Sequence, residues 1–319
     1  MPTGEASDED FPCFCAELLA FSTGTWYNGG GTHPERRIPM LQGLAIWHYP
    51  HRSMVDNIRY FAALGLDSVS VHGAQFAAAI ADPTISEAMA AAVTDTGVVF
   101  TVHYALPRSH EPESVAVFEA GLAVIAAWQR TYGHIAVLSF DVPQPLRAGR
   151  GIGVYLDHVL EAVPDCRVAV EDFGLNESER AQIAHLKGHD RFGYLVDIGH
   201  LFIRMRGENV SGKTLFTHAP DECPVNKAPD AAAFAAALAG KDFPVFEMHL
   251  HNNNGVDDLH WFLEEGEMDI PAVAAALKDV GFDGILTVES APGFKFECRG
   301  KDADEGIERT LSYWKGICG

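Results

Sequence analysis

RVAVEDFG (167–174) and GYLVDIGH (193–200) are the two stretches of the chain from which its fold can be predicted. Each is a short apolar run of strand length that ends in ionisable residues. Runs that are apolar on both faces are typical of strands in a parallel sheet, where helices cover each side. The two stretches therefore predict parallel strands with polar C-terminal ends.

Six more stretches of this kind bring the predicted strands to eight. They are LAIWHY (44–49), DSVSVHG (67–73), VVFTVHY (98–104), HIAVLSFD (134–141), VFEMHLHN (245–252) and GILTVES (284–290). The segments between them have apolar residues at helical spacing, and TISEAMAAAVTDTG (84–97) opens with Thr84 and Glu87 at capping-box spacing. Eight strand-then-helix units predict an α/β protein with a (β/α)₈ TIM-barrel fold, in which outer helices surround a closed parallel sheet.

Two parts of the chain do not fit this repeat. Residues 1–43 precede the first predicted strand and are interpreted as an N-terminal extension, which leaves 44–319 as the TIM-barrel catalytic domain. Residues 201–230 form a long connection after the sixth strand. Loops of this length in a compact domain are often functional, so this connection is either a lid over the barrel mouth or a plain surface excursion.

The charge of the chain bears on its partners. The 319 residues include 44 acidic and 23 basic side chains, for a formal net charge of −21. Such a chain repels phosphate backbones unless it has a local basic patch, and no run of Lys or Arg supplies one. We therefore expect no nucleic-acid partner.

Cysteine usage and hydropathy indicate the compartment. The six cysteines are scattered and do not resemble a disulfide framework. The acidic start, MPTGEASDED, lacks the basic end of a secretory signal, and no apolar run reaches the roughly 20 residues of a membrane span. We expect a protein of the reducing cytoplasm that has no membrane partner.

Ionisable residues recur at the C-terminal ends of the predicted strands. They are His72, His103, Glu171, Asp197, His200, His249, His251 and Glu289. In a barrel these ends meet at one mouth, which is where TIM-barrel active sites lie. Burying several carboxylates there costs too much free energy unless they are paired or bound to a cation. The pattern therefore predicts a divalent metal site.

The motifs around these residues resemble the xylose isomerase-like TIM-barrel superfamily. They are VAVEDFG (168–174), VDIGH (196–200), MHLHNNNGVDDLH (248–260) and LTVES (286–290), in that order along the chain. This superfamily holds sugar phosphate isomerases and epimerases, including enzymes like D-tagatose 3-epimerase, alongside endonuclease IV. The resemblance covers the barrel from about residue 44 to the end, and it implies a small-molecule sugar or polyol substrate.

The resemblance implies a role for each matching residue. Glu171, Asp197, His249 and Glu289 would hold one metal ion, with His249 preferred to His251 because of the polar positions that follow it. Glu171 and Glu289 would also be the catalytic acid–base pair, one removing a proton next to a carbonyl and the other returning it through an enediolate. The substrate would be bound by His103, His200, Asp258, His260, His251 and His72.

The nature of this ligand set favours particular ions. Two glutamates, one aspartate and one histidine are rich in oxygen and contain no thiolate. Mn²⁺ is the preferred cofactor, and Mg²⁺, Co²⁺, Zn²⁺ and Fe²⁺ are the alternatives. Trp47, His48, Tyr49 and His51 follow the first strand and are expected to line the pocket wall rather than to bind metal.

Three other functions stay open at this point. A dehydratase or lyase of the same superfamily would use the same metal and the same proton abstraction. An endonuclease IV-like enzyme would need several zinc ions, but the strand-four histidine of that family is replaced in VLSFD (137–141). A non-catalytic barrel subunit would not need the intact ligand set. The oligomeric state is open, with a homo-oligomer among the alternatives.

Overall fold

A computed structural model describes residues 40–49, 51–143, 151–163, 165–173, 175–206, 229–291 and 301–318. Eight parallel strands pair in chain order, and β1 pairs with β8 to close the barrel, as predicted. The strands are β1 Leu41–Ala45, β2 Ser68–His72, β3 Val99–Ala105, β4 Ile135–Asp141, β5 Arg167–Glu171, β6 Phe192–Asp197, β7 Val245–Leu250 and β8 Ile285–Val288.

Ten α-helices lie within the described ranges, and they connect or follow the strands. They are α1 Met54–Ala63, α2 Gly73–Ile80, α3 Pro83–Thr96, α4 Pro112–Tyr132, α5 Ile152–Ala162, α6 Glu177–Ile183, α7 Ile198–Arg206, α8 Ala231–Ala239, α9 Ile270–Val280 and α10 Lys301–Cys318. Two short 3₁₀ helices, Ile46–His48 and Ala184–Leu186, complete the described elements. Helix α2 was not predicted from the sequence.

The alternation of side chains along each strand divides the core into two parts. Residues such as Val69, Val71 and Phe100 belong to a large cluster that also includes the buried faces of the helices. A smaller cluster contains Val137 and Leu195 together with Ala169, Phe246 and Ile285. The two clusters are the outer and inner faces expected of a barrel wall.

The inner face of the barrel is more polar than predicted. Ser139 on β4 and Thr287 on β8 both donate hydrogen bonds to the carboxylate of Glu247 on β7, at 3.3 and 2.8 Å. Because β4 and β7 are not neighbours in the sheet, this contact crosses the barrel interior. The expectation that the strands are apolar on both faces is therefore wrong for the inner face at Glu247. A buried carboxylate needs hydrogen-bond donors, and the polar side chains of Ser139 and Thr287 supply them.

Several element boundaries also differ from the prediction. Strand β1 ends at Ala45 rather than continuing to Tyr49, because the chain turns into a 3₁₀ helix that still buries Ile46. Residues 201–206 are helical, so the connection after β6 begins later than predicted. Helix α3 is capped by Asp82, whose side chain accepts from the backbone of Thr84 and Ile85, so Thr84 is not its capping residue.

Two predictions fall largely outside the described residues. Of the proposed extension 1–43, residues 1–39 are not described, and of the proposed lid or excursion 201–230, residues 207–228 are not described. Both interpretations therefore stay predictions. In the described part of the chain no single helix is long and apolar enough to cross a membrane, although α2 and α3, bent by 114°, pass that test together.

Candidate active site

A cavity of about 280 Å³ lies at the C-terminal mouth of the barrel. It is lined by Trp47, His48, His72, His103, Asp141, Glu171, Asp197, His200, His249, Asp258, His260 and Glu289. The structure thus brings every predicted site residue except His251 to one cavity. The sheet register explains the convergence, since it pairs His72 with His103 and Asp197 with His249 across neighbouring strands.

His200 connects three carboxylates of the cavity. Its Nδ1 lies 2.8 Å from Oε1 of Glu171, and its Nε2 lies 3.3 Å from Oδ1 of Asp258. Its backbone N–H donates to Oδ1 of Asp197 at 2.8 Å, which fixes the start of α7 against the end of β6. The motif VDIGH therefore supplies both a potential ligand and the residue that orients it.

His251 is fully buried, does not line the cavity, and has one ring nitrogen close to two carboxylates. Its Nδ1 lies 3.4 Å from the backbone carbonyl of Asn252, to which the tautomer with the proton on Nδ1 can donate. Its Nε2 lies 3.2 Å from Oδ1 of Asp197 and 3.6 Å from Oδ1 of Asp258. A metal-binding imidazole has this arrangement, with one nitrogen donating to a carbonyl and the other presenting a lone pair.

His249 is placed differently from His251. Its Nδ1 lies 3.0 Å from Oε2 of Glu289, and its Nε2 lies 3.5 Å from Oε1 of Glu247. Each ring nitrogen therefore faces a carboxylate. Burial alone would lower the pKa of His249, but the charges and hydrogen bonds of Glu289 and Glu247 outweigh it and raise this pKa well above its ordinary value. This imidazole is suited to join two carboxylates.

Five groups of potential metal ligands lie close together among the described residues, with the ligand atoms of each group within 4.8 Å of one another. The groups are Asp197–His251–Glu289, Glu171–Asp197–His200, His103–Asp141–Glu171, His48–His260–Glu289 and His200–His251–Asp258–His260. His249 is in none of them. His251 and the predicted carboxylate ligands Glu171, Asp197 and Glu289 each belong to two of these groups. This overlap provides room for one cation between the ends of strands β5 to β8.

The loop after β7 holds Asp258 and His260 at the cavity. Asn252 pairs with Trp261 through two backbone hydrogen bonds, and its side-chain amide donates to the carbonyls of Leu263 and Met268. His260 has a φ of 49°, in the left-handed region that non-glycine residues rarely adopt. Strain of this kind persists where the surrounding contacts require it, here the hydrogen bond from His260 Nδ1 to the carbonyl of Glu289 at 2.8 Å.

Asp141 is a cavity residue that the sequence analysis did not assign. It lies at the end of β4, where its Oδ1 is 3.3 Å from Nε2 of His103 and its carboxyl group hydrogen-bonds that of Glu171. Two carboxyl groups can share such a bond only with a proton or a cation between them. Asp141 is the final residue of VLSFD (137–141). Its place at the end of β4, like that of Glu171 at the end of β5, is the sequence feature from which it could have been predicted as a site residue.

The cavity shifts the pKa values of its groups in opposite directions. Burial, together with the hydrogen bond and charge of Asp141, raises the pKa of Glu171 to about 8. Burial alone would raise the pKa of Asp197, but the charges of His200 and His251 lower it to about 2. Burial alone would lower the pKa of His103, but Asp141 raises it to about 9. Groups tuned apart in this way are typical of functional sites.

Trp47, His48 and Glu247 complete the surroundings of the site. Trp47 and His48 line the cavity as expected, whereas Tyr49 is fully buried and His51 pairs with Asp304 at 3.0 Å. Glu247, which the sequence analysis did not assign, is fully buried beneath His249. Its position two residues before His249 places it on the same strand face, and this period of two was the signal for it.

A family of known proteins matches this chain. The model of the family described as xylose isomerase-like TIM barrel matches residues 146–315, more than half of the chain. An uncharacterized protein of Methanocaldococcus jannaschii is 34% identical over 65 residues, which is 20% of this chain and 22% of that protein. The chain thus matches less than a quarter of that relative's length.

Solved structures share the fold at low sequence identity. A D-psicose 3-epimerase from Clostridium cellulolyticum H10, solved with D-tagatose, has a TM-score of 0.59 at 12% identity and covers 88% of this chain and 99% of its own. A D-tagatose 3-epimerase-like protein gives 0.60 at 16%, covering 88% and 98%. An IolI protein with a bound zinc atom gives 0.59 at 13%, covering 87% and 96%.

Proposed function

Because the chain belongs to the xylose isomerase-like TIM barrel family, we propose that it is a sugar isomerase or epimerase that depends on a divalent metal ion. The observation that carries this proposal is one cavity in which Glu171 and Glu289 lie among imidazoles. Structural neighbours that are named as sugar 3-epimerases support the substrate class. A cavity of about 280 Å³ lies just below the usual size range of small-molecule sites.

The metal would be held by Glu171, Asp197, His251 and Glu289. The choice of His251 over the predicted His249 is supported by its place in a ligand group with Asp197 and Glu289, in which its Nε2 lies 3.2 Å from Oδ1 of Asp197. When bound, a divalent cation supplies Lewis-acid polarisation of a substrate carbonyl and balances the buried negative charge. Mn²⁺ is the ion that we would test first, with Zn²⁺, Mg²⁺, Co²⁺ and Fe²⁺ as alternatives.

The two glutamates would move the proton. Glu171 ends β5 and Glu289 follows β8, three strands apart in the closed barrel, so they reach the cavity from different sides. One carboxylate would remove the proton from the carbon next to the carbonyl, and the other would return a proton. Return from the opposite side inverts that carbon, which is epimerisation.

The imidazoles of the cavity would hold the sugar hydroxyl groups. His72 and His103 lie on one side, and His200 and His260 on the other, each with ring nitrogens that donate or accept hydrogen bonds. Asp258 would orient His200 and His260, since its Oδ1 lies 3.3 and 3.0 Å from their Nε2 atoms. Trp47 presents an aromatic wall on which a sugar ring can pack.

Deuterium uptake from D₂O tests the proposed chemistry. The Mn²⁺-loaded protein, incubated with D-psicose, D-tagatose and D-fructose, is expected to place deuterium on the carbon next to the carbonyl of at least one ketose. Glu171→Gln and Glu289→Gln should each lower the rate by about 10²-fold or more, because a general acid or base is lost. Glu265→Gln, an exposed control beside Arg309, should leave the rate unchanged. Absence of uptake with all three sugars at high enzyme concentration would contradict the proposal for these substrates.

Metal analysis tests the ligand assignment and separates a second candidate function. We expect one Mn²⁺ per chain, strongly weakened binding in His251→Gln and retained binding in His249→Gln. The groups His103–Asp141–Glu171 and His200–His251–Asp258–His260 give a three-metal phosphodiester hydrolase a specific observation in its favour. Three ions per chain together with cleavage of abasic DNA would favour that candidate. The net charge of −21 opposes it.

A further inference from the structure

Glu247 is a fully buried carboxylate on the inner face of β7, two residues before His249. Its partners in the sheet register are Leu195 on β6 and Ile285 on β8, and both belong to the smaller apolar cluster inside the barrel. A buried carboxylate costs several kcal/mol more than an apolar side chain unless other groups compensate it. The packing of the barrel therefore does not explain a carboxylate at this position.

Two hydroxyl groups fix the carboxylate of Glu247 inside the barrel. Thr287 Oγ1 donates to its Oε1 at 2.8 Å, and Ser139 Oγ donates to its Oε2 at 3.3 Å. Both donors are uncharged, so they orient the carboxylate without balancing its charge. Within the described part of the chain its ion pair is with His249, whose Nε2 lies 3.5 Å from Oε1. The charge of Glu247 is therefore directed at this imidazole.

We propose that Glu247 is a positioning residue that acts on the carboxylate of Glu289 through the imidazole of His249. The proposal rests on the proposed function, which assigns proton transfer to Glu289. The second ring nitrogen of His249, Nδ1, lies 3.0 Å from Oε2 of Glu289. Carboxylate, imidazole and carboxylate thus follow one another from the barrel interior to the cavity. Glu247 does not line that cavity, so it acts without touching the substrate.

His249 holds one oxygen of Glu289 and leaves the other towards the cavity. Besides His249, Oε2 has Nδ1 of His260 at 3.8 Å, whereas Oε1 lies 3.8 Å from Nε2 of His48, which lines the cavity. The orientation of the His249 ring therefore determines which oxygen of Glu289 is presented to the substrate. Displacement of a reacting group by about 1 Å can cost on the order of 10²-fold in rate.

The His249 ring is confined, and Glu247 is the part of its surroundings that carries a charge on the side away from Glu289. The ring is 2% exposed and packs edge-on against the ring of His103, with centroids 5.0 Å apart. In metal sites, a carboxylate beside the far nitrogen of an imidazole fixes the ring, and its loss typically costs about 10–100-fold in affinity or activity. We expect an effect of this kind on proton transfer by Glu289.

The kinetics of Glu247→Gln in the Mn²⁺-loaded protein test this role. Glutamine fills the same volume without the charge, so kcat for deuterium exchange per metal-bound chain should fall by about tenfold or more. KM should stay within about twofold, because Glu247 does not touch the substrate. Thr287→Val, which removes one hydroxyl donor to Glu247, should lower kcat by about threefold or more. Ser70→Ala, a buried hydroxyl on β2 that makes no hydrogen bond among the described residues, is the matched control and should leave both constants unchanged.

NMR of the metal-free protein tests the positioning without the reaction. In protein labelled with ¹⁵N-histidine, the Nδ1–H of His249, assigned with His249→Gln, should exchange slowly with water because it is buried against Glu289. Glu247→Gln should speed this exchange by about tenfold or more, because the ring is then held from one side only. Urea denaturation confirms that each variant is folded.

The two readouts separate this proposal from the proposed function. Unchanged kcat together with unchanged Nδ1–H exchange in Glu247→Gln would overturn the role of Glu247. So would a raised KM at the native kcat, or an equal loss of kcat in folded Ser70→Ala. If no ketose takes up deuterium but Nδ1–H exchange still responds to Glu247→Gln, the proposed function fails, while the positioning of Glu289 by Glu247 is supported.

Discussion

Gly199 lies against the ring of His251. This contact favours His251 over His249 as the metal ligand from the end of β7. A Cβ at position 199 would overlap the imidazole of His251, while the ring of His260 stacks on the other side with centroids 3.8 Å apart. The ring of His251 is therefore held between a glycine and an aromatic plane. The atoms nearest to a Cβ at position 199 all belong to His251, whereas His249 lies against the ring of His103 and beside Glu247 and Glu289.

Gly199→Ala is expected to weaken Mn²⁺ binding by about tenfold or more, because the added methyl group displaces the His251 ring. Alanine is the better helix former by roughly 0.5–1 kcal/mol, so a general loss of helix stability would not explain the effect. Isothermal titration of Mn²⁺ into the metal-free variant measures it. Unchanged affinity would favour His249 as the ligand and contradict our assignment.

Glu247 is expected to be the most costly buried carboxylate to remove. Glu247→Ala leaves the His249 imidazole, Ser139 and Thr287 without their acceptor, and removing one partner of a buried pair typically costs about 3–5 kcal/mol. Urea denaturation with EDTA present measures the free energy of unfolding without a metal contribution. The surface variant Glu265→Ala should lose less than about 1 kcal/mol. Similar losses in both variants would be evidence against a buried pair.

The sequence predicts some residues of the candidate site and leaves others unassigned. Glu171, Asp197 and Glu289 could be located because each ends an apolar strand, and a carboxylate there has few structural explanations. His249 and His251 could not be separated, because residues two apart on a strand point to the same face and only the surrounding contacts distinguish them. Asp141 was missed because it replaces an expected histidine.

Elements were predicted more reliably than their ends. All eight strands were predicted from short apolar runs, and most helices from apolar residues at helical spacing. Strand β1 ends earlier than its apolar run, because buried residues such as Ile46 continue into the 3₁₀ helix that follows it. The start of α3 was placed at Thr84 by its spacing to Glu87, while Pro83 and Asp82 give the actual start. Proline at the first helical position with an aspartate before it is the stronger signal.

Helix α3 offers a direct test of this difference. Asp82→Ala is expected to lower the free energy of unfolding by about 1 kcal/mol, because the backbone N–H groups of Thr84 and Ile85 lose their acceptor. Thr84→Ala, the matched control in the same turn, should change it by less than about 0.5 kcal/mol. Urea denaturation of both variants measures the difference. A larger loss in Thr84→Ala would restore the capping box predicted from the sequence.

The affinity of the protein for a metal ion is expected to depend on pH, because the cavity shifts the pKa of a proposed ligand. Burial and Asp141 raise the pKa of Glu171 to about 8 in the metal-free protein, so below pH 8 this carboxyl group carries a proton that a cation must displace. Mn²⁺ affinity should therefore rise with pH, by about tenfold per unit from pH 6 to 8, and level off above. Calorimetric titration across this range measures the slope. Affinity that is constant from pH 6 to 8 would show that no proton leaves on binding.

The pairing of β1 with β8 has a consequence for how the protein is made. Leu41 and Ile285, near the two ends of the described chain, are partners in the ladder that completes the sheet. Until the ribosome has synthesised the last strand, β1 presents an edge of unpaired backbone groups, which readily associates with other chains. Contacts between such distant segments also form slowly. The nascent chain therefore exposes this edge until its final strand emerges, and we expect a chain truncated before Ile285 to aggregate.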